Sequence, residues 1–317
     1  MKPNMRNLKD ILLAYGVYIA FALLFVIFAI TLRNVGAGFL DPGNLMNILR
    51  QTCLYAILAV GMAFVLAAAQ IDLSIGPTIG LVSLVAAMLM RQYGIAAGVG
   101  ASLLLGVGVG CVNGLLVAYV RMPPMVATLG TMTALMGAGR TLTNLRAVPI
   151  VNGAYNFIFG GGSIGGFLPV SFVWMLAIMI VGHIVMFKTK YGRRVLATGG
   201  NEKAALYSGI NTRRILFSVM VINGFLAALV GLLWAGRFAG GRYSLGESSE
   251  ILVIAATVLG GTSINGGRAS IVGAALGAVM IGMLDNALVL YGLDVYRQMI
   301  VRGIVIILAV ALTTKRD

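Results

Sequence analysis

Residues 169–214 read PVSFVWMLAIMIVGHIVMFKTKYGRRVLATGGNEKAALYSGINTRR and contain the two kinds of segment that alternate along the chain. Pro169–Phe187 carries no charged residue and approaches the roughly 20 apolar residues that a helix needs to cross a bilayer. The stretch that follows, 188–214, holds seven Lys or Arg residues and a single acid, Glu202. An apolar span that ends in a basic loop is typical of a membrane protein whose basic loop stays in the cytoplasm.

The composition of the whole chain agrees with this pattern. The 317 residues are 60% hydrophobic and only 10% charged, and the mean hydropathy is +0.99. A soluble domain carries about 25% charged residues. A surface exposed to water needs more charged residues than this chain has, so most of its exterior must face lipid. The 43 glycines suit helices that pack closely through small residues.

Charge distribution and cysteine content exclude several functions. The net charge is +14, but the basic residues punctuate apolar runs and form no stripe with aromatics, so we expect no nucleic-acid binding. Cys53 and Cys111 lie in apolar runs without metal or redox spacing, and with one histidine besides we expect no metal site.

The run Ile11–Leu32 exceeds the roughly 7–15-residue core of a signal peptide, which predicts a retained first span.

Ten apolar stretches are candidate membrane spans. They are continuously apolar, which favours helices over a membrane β-barrel. The stretches are Ile11–Leu32, Gln51–Ile71, Leu73–Met90, Gln92–Val120, Met122–Gly139, Pro169–Phe187, Ile215–Gly236, Ile251–Gly267, Ala269–Tyr291 and Gln298–Thr314. Several are short or broken by Gly and Pro, which leaves half-spans or re-entrant segments open near Pro77, Pro123 and Thr262. The predicted fold is an all-α integral membrane protein with about ten transmembrane helices.

The distribution of Lys and Arg predicts the orientation. Basic residues gather in 188–214 and at both ends of the chain, which places all three regions in the cytoplasm. The terminal basic residues are Lys2, Arg6, Lys9, Lys315 and Arg316. Ten spans bring both termini to one side, and six spans before residue 188 place that loop there too. The Asn- and Gly-rich stretch 140–170 is then an extracytoplasmic loop, with a short helix left open, and 1–317 forms one transmembrane domain of a bacterial-type inner membrane.

The cytoplasmic loop is predicted to contain a short capped helix. Asn201 can cap it, Glu202 favours its first turn, and Gly209 can adopt the left-handed conformation that ends a helix. From the residues alone, two interpretations are open. The helix is either a docking knob for a cytoplasmic partner or an ordinary surface helix that ties two spans.

Several motifs together resemble one family of transporters. Gly199–Ala205 with Ser208–Asn211 resembles the cytoplasmic loop of ribose- and galactose-type ABC sugar permeases. Gln70–Gly76 (QIDLSIG) matches the family's GIDLSVG motif with two changes. Pro123–Gly130 (PPMVATLG) is similar to its proline-containing segment, and Val258–Ser263 (VLGGTS) to its late GGTS elbow. Because the motifs follow the family's order, the chain is identified as a member of this permease family.

The resemblance implies a half-transporter that is not an enzyme and binds no cofactor itself. Two permease chains would form the pathway, two ATP-binding subunits would hydrolyse ATP below it, and an extracytoplasmic sugar-binding protein would deliver the sugar. The chain itself has no GxxxxGK[ST] phosphate loop, so energy must come from a partner. A rigid peg around residues 199–210 would shift the spans between inward- and outward-open states. The residues expected to couple to the ATPase are Gly200, Asn201, Glu202, Ala204, Ala205, Ser208 and Gly209.

Polar residues in or near spans are candidates for the sugar pathway, because polar groups in lipid are costly and often functional. A sugar needs amide, hydroxyl and aromatic partners. The pathway candidates are Phe64, Asp72, Ser74, Thr262, Ser263, Asp285 and Asn286. For Asp72, Asn113 and Asn223 the favoured interpretation is simpler, namely that they hold helices together or cap one. For Asp285 the two interpretations are balanced, with Arg302 as its candidate partner.

The chain departs from the family pattern at three points. Glu250 is followed by Ile and Leu where the family has Glu-Leu-Asp, Asp285 stands before Asn286 where two Asn are common, and Gln70 replaces a Gly. These departures bear on the substrate, for which a pentose, a hexose, a polyol and a furanose-like molecule remain open.

Three alternatives compete with this interpretation. A secondary transporter driven by an ion gradient could use Asp285 as its coupling carboxylate, but it leaves the docking-like loop unexplained. A membrane-embedded enzyme would need a His/Asp/Glu cluster, a Ser–Lys pair or a set of metal ligands, and none stands out. An ABC permease for branched-chain amino acids belongs to a related group, although Ile71–Ser74 and Gly200–Glu202 are closer to the sugar branch.

Overall fold

The computed structural model describes residues 8–33, 35 and 38–314. Within that part of the chain, thirteen α-helices follow one another. They are α1 (Leu8–Thr31), α2 (Pro42–Ala67), α3 (Ile75–Tyr93), α4 (Ile95–Ala118), α5 (Pro124–Leu142), α6 (Gly153–Asn156), α7 (Val170–Lys188), α8 (Lys190–Gly200), α9 (Glu202–Tyr207), α10 (Thr212–Arg237), α11 (Ser249–Leu259), α12 (Ile271–Leu290) and α13 (Val295–Thr314). The prediction of a helical fold is confirmed.

Four two-residue strands occur outside the helices, three of them between α5 and α7. They are β1 (Val148–Pro149), β2 (Ser163–Ile164), β3 (Leu168–Pro169) and β4 (Gly240–Gly241). β1 pairs antiparallel with β4, and β2 pairs antiparallel with β3 to form a hairpin. A π-helical turn, Phe157–Gly161, follows α6. α6 is the short helix that the sequence left open for this loop.

Each of the ten predicted spans overlaps a helix of the structure. The second, Gln51–Ile71, begins nine residues after the start of α2 and runs four residues past its end. Among the described residues, six helices are long and apolar enough to cross a membrane, namely α2, α3, α4, α7, α10 and α12. The chain is therefore a multi-pass membrane protein. The eighth predicted span, Ile251–Gly267, is wrong in its bounds, because α11 has only 11 residues. Residues 260–270 form a loop in which Gly261, Gly266 and Gly267 have positive φ.

α2 and α10 lie at the centre of the helix bundle, whereas α7 lies at its edge. In the most apolar 18-residue stretch of each helix, 78% of the residues of α2 and 72% of those of α10 are buried, compared with 22% in α7. α10 approaches α4 through glycines of α4, at Gly106, Gly110 and Gly114. A Cβ added at Gly110 would lie 2.6 Å from the Met220 carbonyl oxygen. The two helices therefore pack with their backbones in contact, as small residues allow in membranes.

The contacts between helix ends define two ends of the bundle. At the lower end, α2 finishes at Ala67 beside the 260–270 loop, since the Gly267 N–H donates a hydrogen bond to the Ala67 carbonyl oxygen at 3.0 Å. At the upper end, α10 finishes at Arg237 near the first turns of α2. The Arg237 guanidinium donates to the Arg50 carbonyl oxygen at 3.1 Å. We call the end at Ala67 the lower end and the end at Arg237 the upper end.

The chain turns back into the bundle after α2, through residues 68–74, here called the elbow. The elbow runs from the lower end up to Asp72, whose carboxylate accepts a hydrogen bond from the Asn223 amide at 2.9 Å. Asn223 lies eleven residues into α10, or about 17 Å along its axis. α3 therefore begins in the middle of the bundle, close to Pro77, where the sequence left a half-span or a re-entrant segment open.

A second irregular segment, residues 238–248, here called the descending segment, enters from the upper end. It runs beside α3, where the Arg242 N–H donates to the Ser83 hydroxyl oxygen at 3.0 Å. Farther down, a Cβ added at Gly76 would overlap the Glu250 carboxylate. Because α11 begins at Ser249, the first turns of α3 and α11 meet inside the bundle. Both helices thus begin inside the bundle, each after an irregular segment that runs into it.

Candidate functional site

The segment predicted to contact a partner forms a short helix at the lower end. α9 follows Asn201, whose side-chain oxygen accepts a hydrogen bond from the Ala204 N–H at 3.0 Å. It ends at Tyr207, shortly before Gly209, which has a φ of +81°. Both caps were predicted from the sequence, and both are confirmed.

Contacts with the bundle hold α8 and α9 in place. The Glu202 carboxylate accepts a hydrogen bond from the Thr212 hydroxyl, at the start of α10, at 3.1 Å. Ala205 faces the bundle and is 4% exposed. Gly199, in α8, lies directly on the end of α2, so that a Cβ at this position would overlap the Ala67 carbonyl oxygen. A displacement of α8 and α9 would therefore press on α2 and α10.

A tyrosine adds a polar contact between α8 and α10. The hydroxyl oxygens of Tyr191 and Ser218 lie 2.7 Å apart. Burial raises the pKa of the Tyr191 phenol above its ordinary value. The hydroxyl therefore stays protonated at physiological pH and able to take part in this hydrogen bond.

The outward side of α9 carries two large apolar side chains beside the exposed Glu202 and Lys203. Leu206 is exposed, and Tyr207 is 89% exposed. A groove of about 900 Å³ lies beside α9, and Arg121, Pro123 and Lys203 are among the residues that line it. An exposed aromatic side chain next to a groove is the kind of anchor that protein partners bury.

The predicted coupling residues all belong to this one segment, and Ala205 is the buried one among them. The coupling role itself stays a prediction. Leu206 and Tyr207 were not among the predicted coupling residues. The available signal was two bulky apolar residues next to each other on a short helix otherwise surrounded by charge, because exposed apolar groups mark interaction sites.

A buried polar network fixes the elbow. The Asp72 carboxylate accepts hydrogen bonds from the Ser74 N–H at 2.9 Å, the Ser74 hydroxyl at 2.7 Å and the Asn223 amide at 2.9 Å. The Asn113 amide donates to the Ser74 hydroxyl oxygen at 2.8 Å and accepts from the Thr131 hydroxyl at 2.7 Å. The network joins the elbow to α4, α5 and α10. These contacts agree with the favoured interpretation that Asp72, Asn113 and Asn223 hold helices together.

The two polar residues of α12 each have a partner. Asp285 accepts a hydrogen bond from the Arg302 guanidinium at 2.9 Å and forms an ion pair with it. Asn286 and Asn44 exchange two hydrogen bonds, at 2.8 and 3.1 Å. Arg302 was the predicted partner of Asp285. Their pairing leaves no lone carboxylate in α12.

The remaining pathway candidates lie elsewhere. Phe64 borders an apolar cavity of about 410 Å³ between α2, α4, α7 and α10. Thr262 accepts a hydrogen bond from the Ser270 N–H at 3.1 Å, and Ser263 accepts one from the Asn265 N–H at 3.2 Å, so both stabilise the 260–270 loop. The pathway candidates therefore occupy four separate places in one chain. Their role in transport stays a prediction.

Two ionisable features were not among the predicted site residues. Glu250 is 4% exposed, and its Oε2 atom has no hydrogen-bond partner, at the point where α3 and α11 begin. Arg50 and Arg237 lie together at the upper end. Among the described residues, no three His, Cys, Asp or Glu side chains come together as metal ligands would. The pairing of Arg50 with Arg237 had no local signal, since it joins helices far apart in sequence.

Long apolar helices, two segments that re-enter the bundle and a capped helix at one end define the class, which is a multi-pass helical membrane protein. The family described as the permease component of branched-chain amino acid transport systems matches residues 44–310, and the chain belongs to that family. The members are transport components and not enzymes.

Known relatives cover nearly the whole chain. The ribose import permease protein RbsC of Bacillus subtilis (strain 168) is 38% identical over 293 residues, which are 92% of this chain and 91% of that protein. RbsC of Escherichia coli (strain K12) is 38% identical over 93% of this chain and 92% of its own length. The xylose transport system permease protein XylH of Escherichia coli (strain K12) is 32% identical, covering 96% and 92%. No solved structure matches the chain. The predicted resemblance to ribose-type ABC permeases is confirmed.

Proposed function

We propose that this chain is the membrane subunit of an ATP-driven sugar importer in the bacterial inner membrane. Two permease chains enclose the pathway. Two ATP-binding subunits dock at the lower end, and an extracytoplasmic binding protein delivers the sugar at the upper end. The chain binds no cofactor, and ATP is used by the partner subunits.

Relatives support a sugar as the substrate class. Three of them, at 38, 34 and 32% identity, are named for ribose, L-arabinose and xylose. All three are pentoses, which favours a small polyhydroxylated substrate. The family description, by contrast, names branched-chain amino acids. A branched-chain amino acid is therefore the second candidate substrate.

The orientation follows from the basic residues around α8 and α9. The 188–214 stretch carries seven Lys or Arg residues and a single acid at the lower end, which supports a cytoplasmic location for that end. In this arrangement the chain crosses the membrane ten times, through α1–α5, α7 and α10–α13. The crossing that contains α11 is completed by the descending segment that precedes it. Both termini are then cytoplasmic. The terminal residues Lys2, Arg6, Lys315 and Arg316 lie outside the described residues.

The shape of α9 carries the proposal. The helix is capped at both ends, its inward side contacts α10, and its outward side offers Leu206 and Tyr207 to a partner. Because Gly199 presses on the end of α2, force applied to α9 reaches the centre of the bundle through backbone contacts. This geometry suits a coupling element better than a simple tie between two spans.

An ion-gradient-driven carrier centred on Asp285 has less support. The Arg302 guanidinium lies 2.9 Å from the Asp285 carboxylate. An internal counter-ion already neutralises the carboxylate that would have to bind the coupling ion. Two of the relatives are, moreover, named as a ribose import permease and an L-arabinose ABC transporter permease.

Co-purification tests the proposal. The tagged permease is isolated from its own cells in mild detergent, and the proteins that accompany it are identified by mass spectrometry. We expect an ATP-binding subunit, and we expect its recovery to fall about 30-fold in a Leu206→Ala, Tyr207→Ala double variant, because a tyrosine anchor of this kind contributes roughly 2 kcal/mol. Uptake of labelled ribose, xylose and leucine by the reconstituted complex then separates the two substrate classes.

A matched control is available at the upper end. Tyr296 is 80% exposed, close to the exposure of Tyr207, and Tyr296→Ala should leave the recovery of the ATP-binding subunit unchanged. Equal recovery of the ATP-binding subunit with the wild type, the double variant and Tyr296→Ala would exclude α9 as the docking element. A permease recovered without an ATPase, with uptake driven by an ion gradient, would establish a secondary carrier instead.

A further inference from the structure

Two arginines at the upper end share one small region. Arg50 lies in the third turn of α2, and Arg237 is the last residue of α10. The Arg237 guanidinium donates to the Arg50 backbone oxygen at 3.1 Å, and Arg50 donates to the Ser163 hydroxyl oxygen of β2 at 2.6 Å. The Arg237 guanidinium therefore lies against the backbone of the residue that carries the second guanidinium group. Two cations held near each other favour a bound group that compensates their charge.

The acids on this side of the molecule do not supply that compensation. Glu247 pairs with Arg140, Asp285 with Arg302 and Asp294 with Arg297. Asp41 caps α2 by accepting a hydrogen bond from the Asn44 N–H at 3.1 Å. No ion pair among the described residues includes Arg50 or Arg237. Two positive charges are therefore held together without a counter-ion from this part of the chain.

An unsatisfied donor points to a ligand at this place. The Nε atom of Arg50 is buried and has no hydrogen-bond partner. A buried donor without an acceptor costs roughly 1–3 kcal/mol, and more when the group is charged. Buried polar groups in folded proteins are almost always satisfied, by protein atoms, by water or by a bound group. Because the Nε atom is shielded in this conformation, the Arg50 side chain would have to turn to meet an anion, which would then satisfy the donor and compensate the charge.

The surroundings indicate where the anion comes from. Ser163 precedes Ile164, and Arg237 precedes Phe238; both neighbours are large, apolar and about half exposed. Nearby in sequence, Phe167 at the tip of the β2–β3 hairpin is also exposed. An apolar rim around paired guanidinium groups, near the end of a long span, is suited to the headgroup region of a bilayer, where apolar side chains and cations meet phosphate.

We propose that Arg50 and Arg237 form a phosphate-binding site at the upper end of the bundle. Guanidinium groups bind phosphate oxygens in bidentate geometry, and a phosphate between the two arginines would accept the free Arg50 Nε–H. The oxyanion belongs either to a phospholipid headgroup or to free inorganic phosphate. A bound phosphate would tie α2, α10 and the β2–β3 hairpin together at this end, independently of the transported substrate.

Lipid titration of the purified full chain tests the site. The thermal unfolding midpoint is measured in detergent with added dioleoylphosphatidylglycerol, with dioleoylglycerol, which has the same chains without phosphate, and with inorganic phosphate. We expect phosphatidylglycerol to raise the midpoint and dioleoylglycerol to leave it unchanged. Arg50→Gln and Arg237→Gln should each weaken the apparent affinity about tenfold, the effect of losing one hydrogen bond to a charged group.

Two further variants keep the result unambiguous. Arg146→Gln removes an exposed arginine from the same side and should titrate like the wild type. Arg50→Lys keeps the charge but removes the planar set of N–H donors. The variant should therefore fold, and it should bind the phosphate group more weakly than the wild type. If inorganic phosphate produces the shift and competes with the lipid, the ligand is free phosphate. If dioleoylglycerol acts like phosphatidylglycerol, or Arg50→Gln and Arg50→Lys both titrate like the wild type, the proposal is overturned.

Discussion

At the scale of single residues, Asp72 illustrates how a buried carboxylate can serve a structural purpose. Its hydrogen-bond donors are neutral, namely Ser74, Asn223 and, at 3.5 Å, Asn113. No basic side chain within the described part of the chain forms an ion pair with it. Asp72 is therefore an acceptor around which the donors of the elbow, α4 and α10 are arranged.

Substitutions at Asp72 should separate its shape from its charge. Asp72→Ala removes the acceptor from several buried donors, each of which costs roughly 1–3 kcal/mol, so we expect a loss of about 2–4 kcal/mol in stability. Asp72→Asn keeps one oxygen, and the Asn223 amide can turn its unpartnered Oδ1 atom towards the new NH₂ group. We therefore expect Asn to cost less than half as much as Ala in thermal unfolding experiments.

Transport assays complete this comparison. Asp72→Asn should keep most of the uptake activity, because the elbow stays in place. An Asn variant that folds like the wild type but fails to transport would show that the carboxylate charge is used in the transport cycle. Such a result would contradict the structural role.

The sequence indicated part of this site. The QIDLSIG motif drew attention to Asp72 and Ser74, and the cost of polar groups in lipid drew attention to Asn113 and Asn223. Their meeting could not be predicted, because Asn113 and Asn223 are 41 and 151 residues from Asp72. Which helices are neighbours depends on packing across the whole bundle, and a local pattern does not contain that information.

At the scale of elements, the contact between α8 and α2 determines how the lower end is built. Gly199 lies against the Ala67 carbonyl oxygen, and Gly266 lies against the Gly199 carbonyl oxygen, so three backbone segments meet without side chains between them. Side chains can rearrange around a clash, whereas backbone in a helix end moves only with its helix. The contact is therefore sensitive to a single added methyl group.

Neighbouring glycines of α8 give a matched pair of substitutions. Gly199→Ala should cost about 1–3 kcal/mol, as overpacking against fixed atoms does. Gly200→Ala should be neutral, because the nearest heavy atom to its added Cβ is the Gly267 Cα at 3.6 Å. Limited proteolysis of the α8–α9 region and ATP-driven uptake measure the difference. Identical behaviour of the two variants would show that this contact does not hold the lower end.

The sequence predicted the positions of the helices better than the depth of the segments between them. All ten apolar stretches overlap helices, and the caps of α9 were predicted residue by residue, because capping depends on side chains close in sequence. The depth of the elbow and of the descending segment was not predictable. Hydropathy reports how apolar a stretch is, but it does not say how deep in the bundle a polar connection between two apolar stretches lies. α11 was predicted too long because the loop residues 260–267 that follow it carry no charge.

At the scale of the whole molecule, the orientation in the membrane can be tested with two exposed positions. Val151 is 96% exposed in the loop before α6, and Tyr207 is 89% exposed on α9. In a chain with Cys53→Ala and Cys111→Ala, Val151→Cys should react with an impermeant maleimide added to intact cells. Tyr207→Cys should react only in inverted vesicles. The opposite labelling pattern would reverse the assignment of the lower end to the cytoplasm.

The glycine contact between α4 and α10 also has a consequence for the biogenesis of the protein. α10 begins at Thr212, 94 residues after α4 ends at Ala118. At a synthesis rate of 5–20 residues per second, α4 would wait roughly 5–20 s before its partner leaves the ribosome. During that time its glycine surface must be covered by lipid or by the insertion machinery. A nascent chain interrupted before α10 would keep this surface open, which would make it a recognisable substrate for membrane quality control.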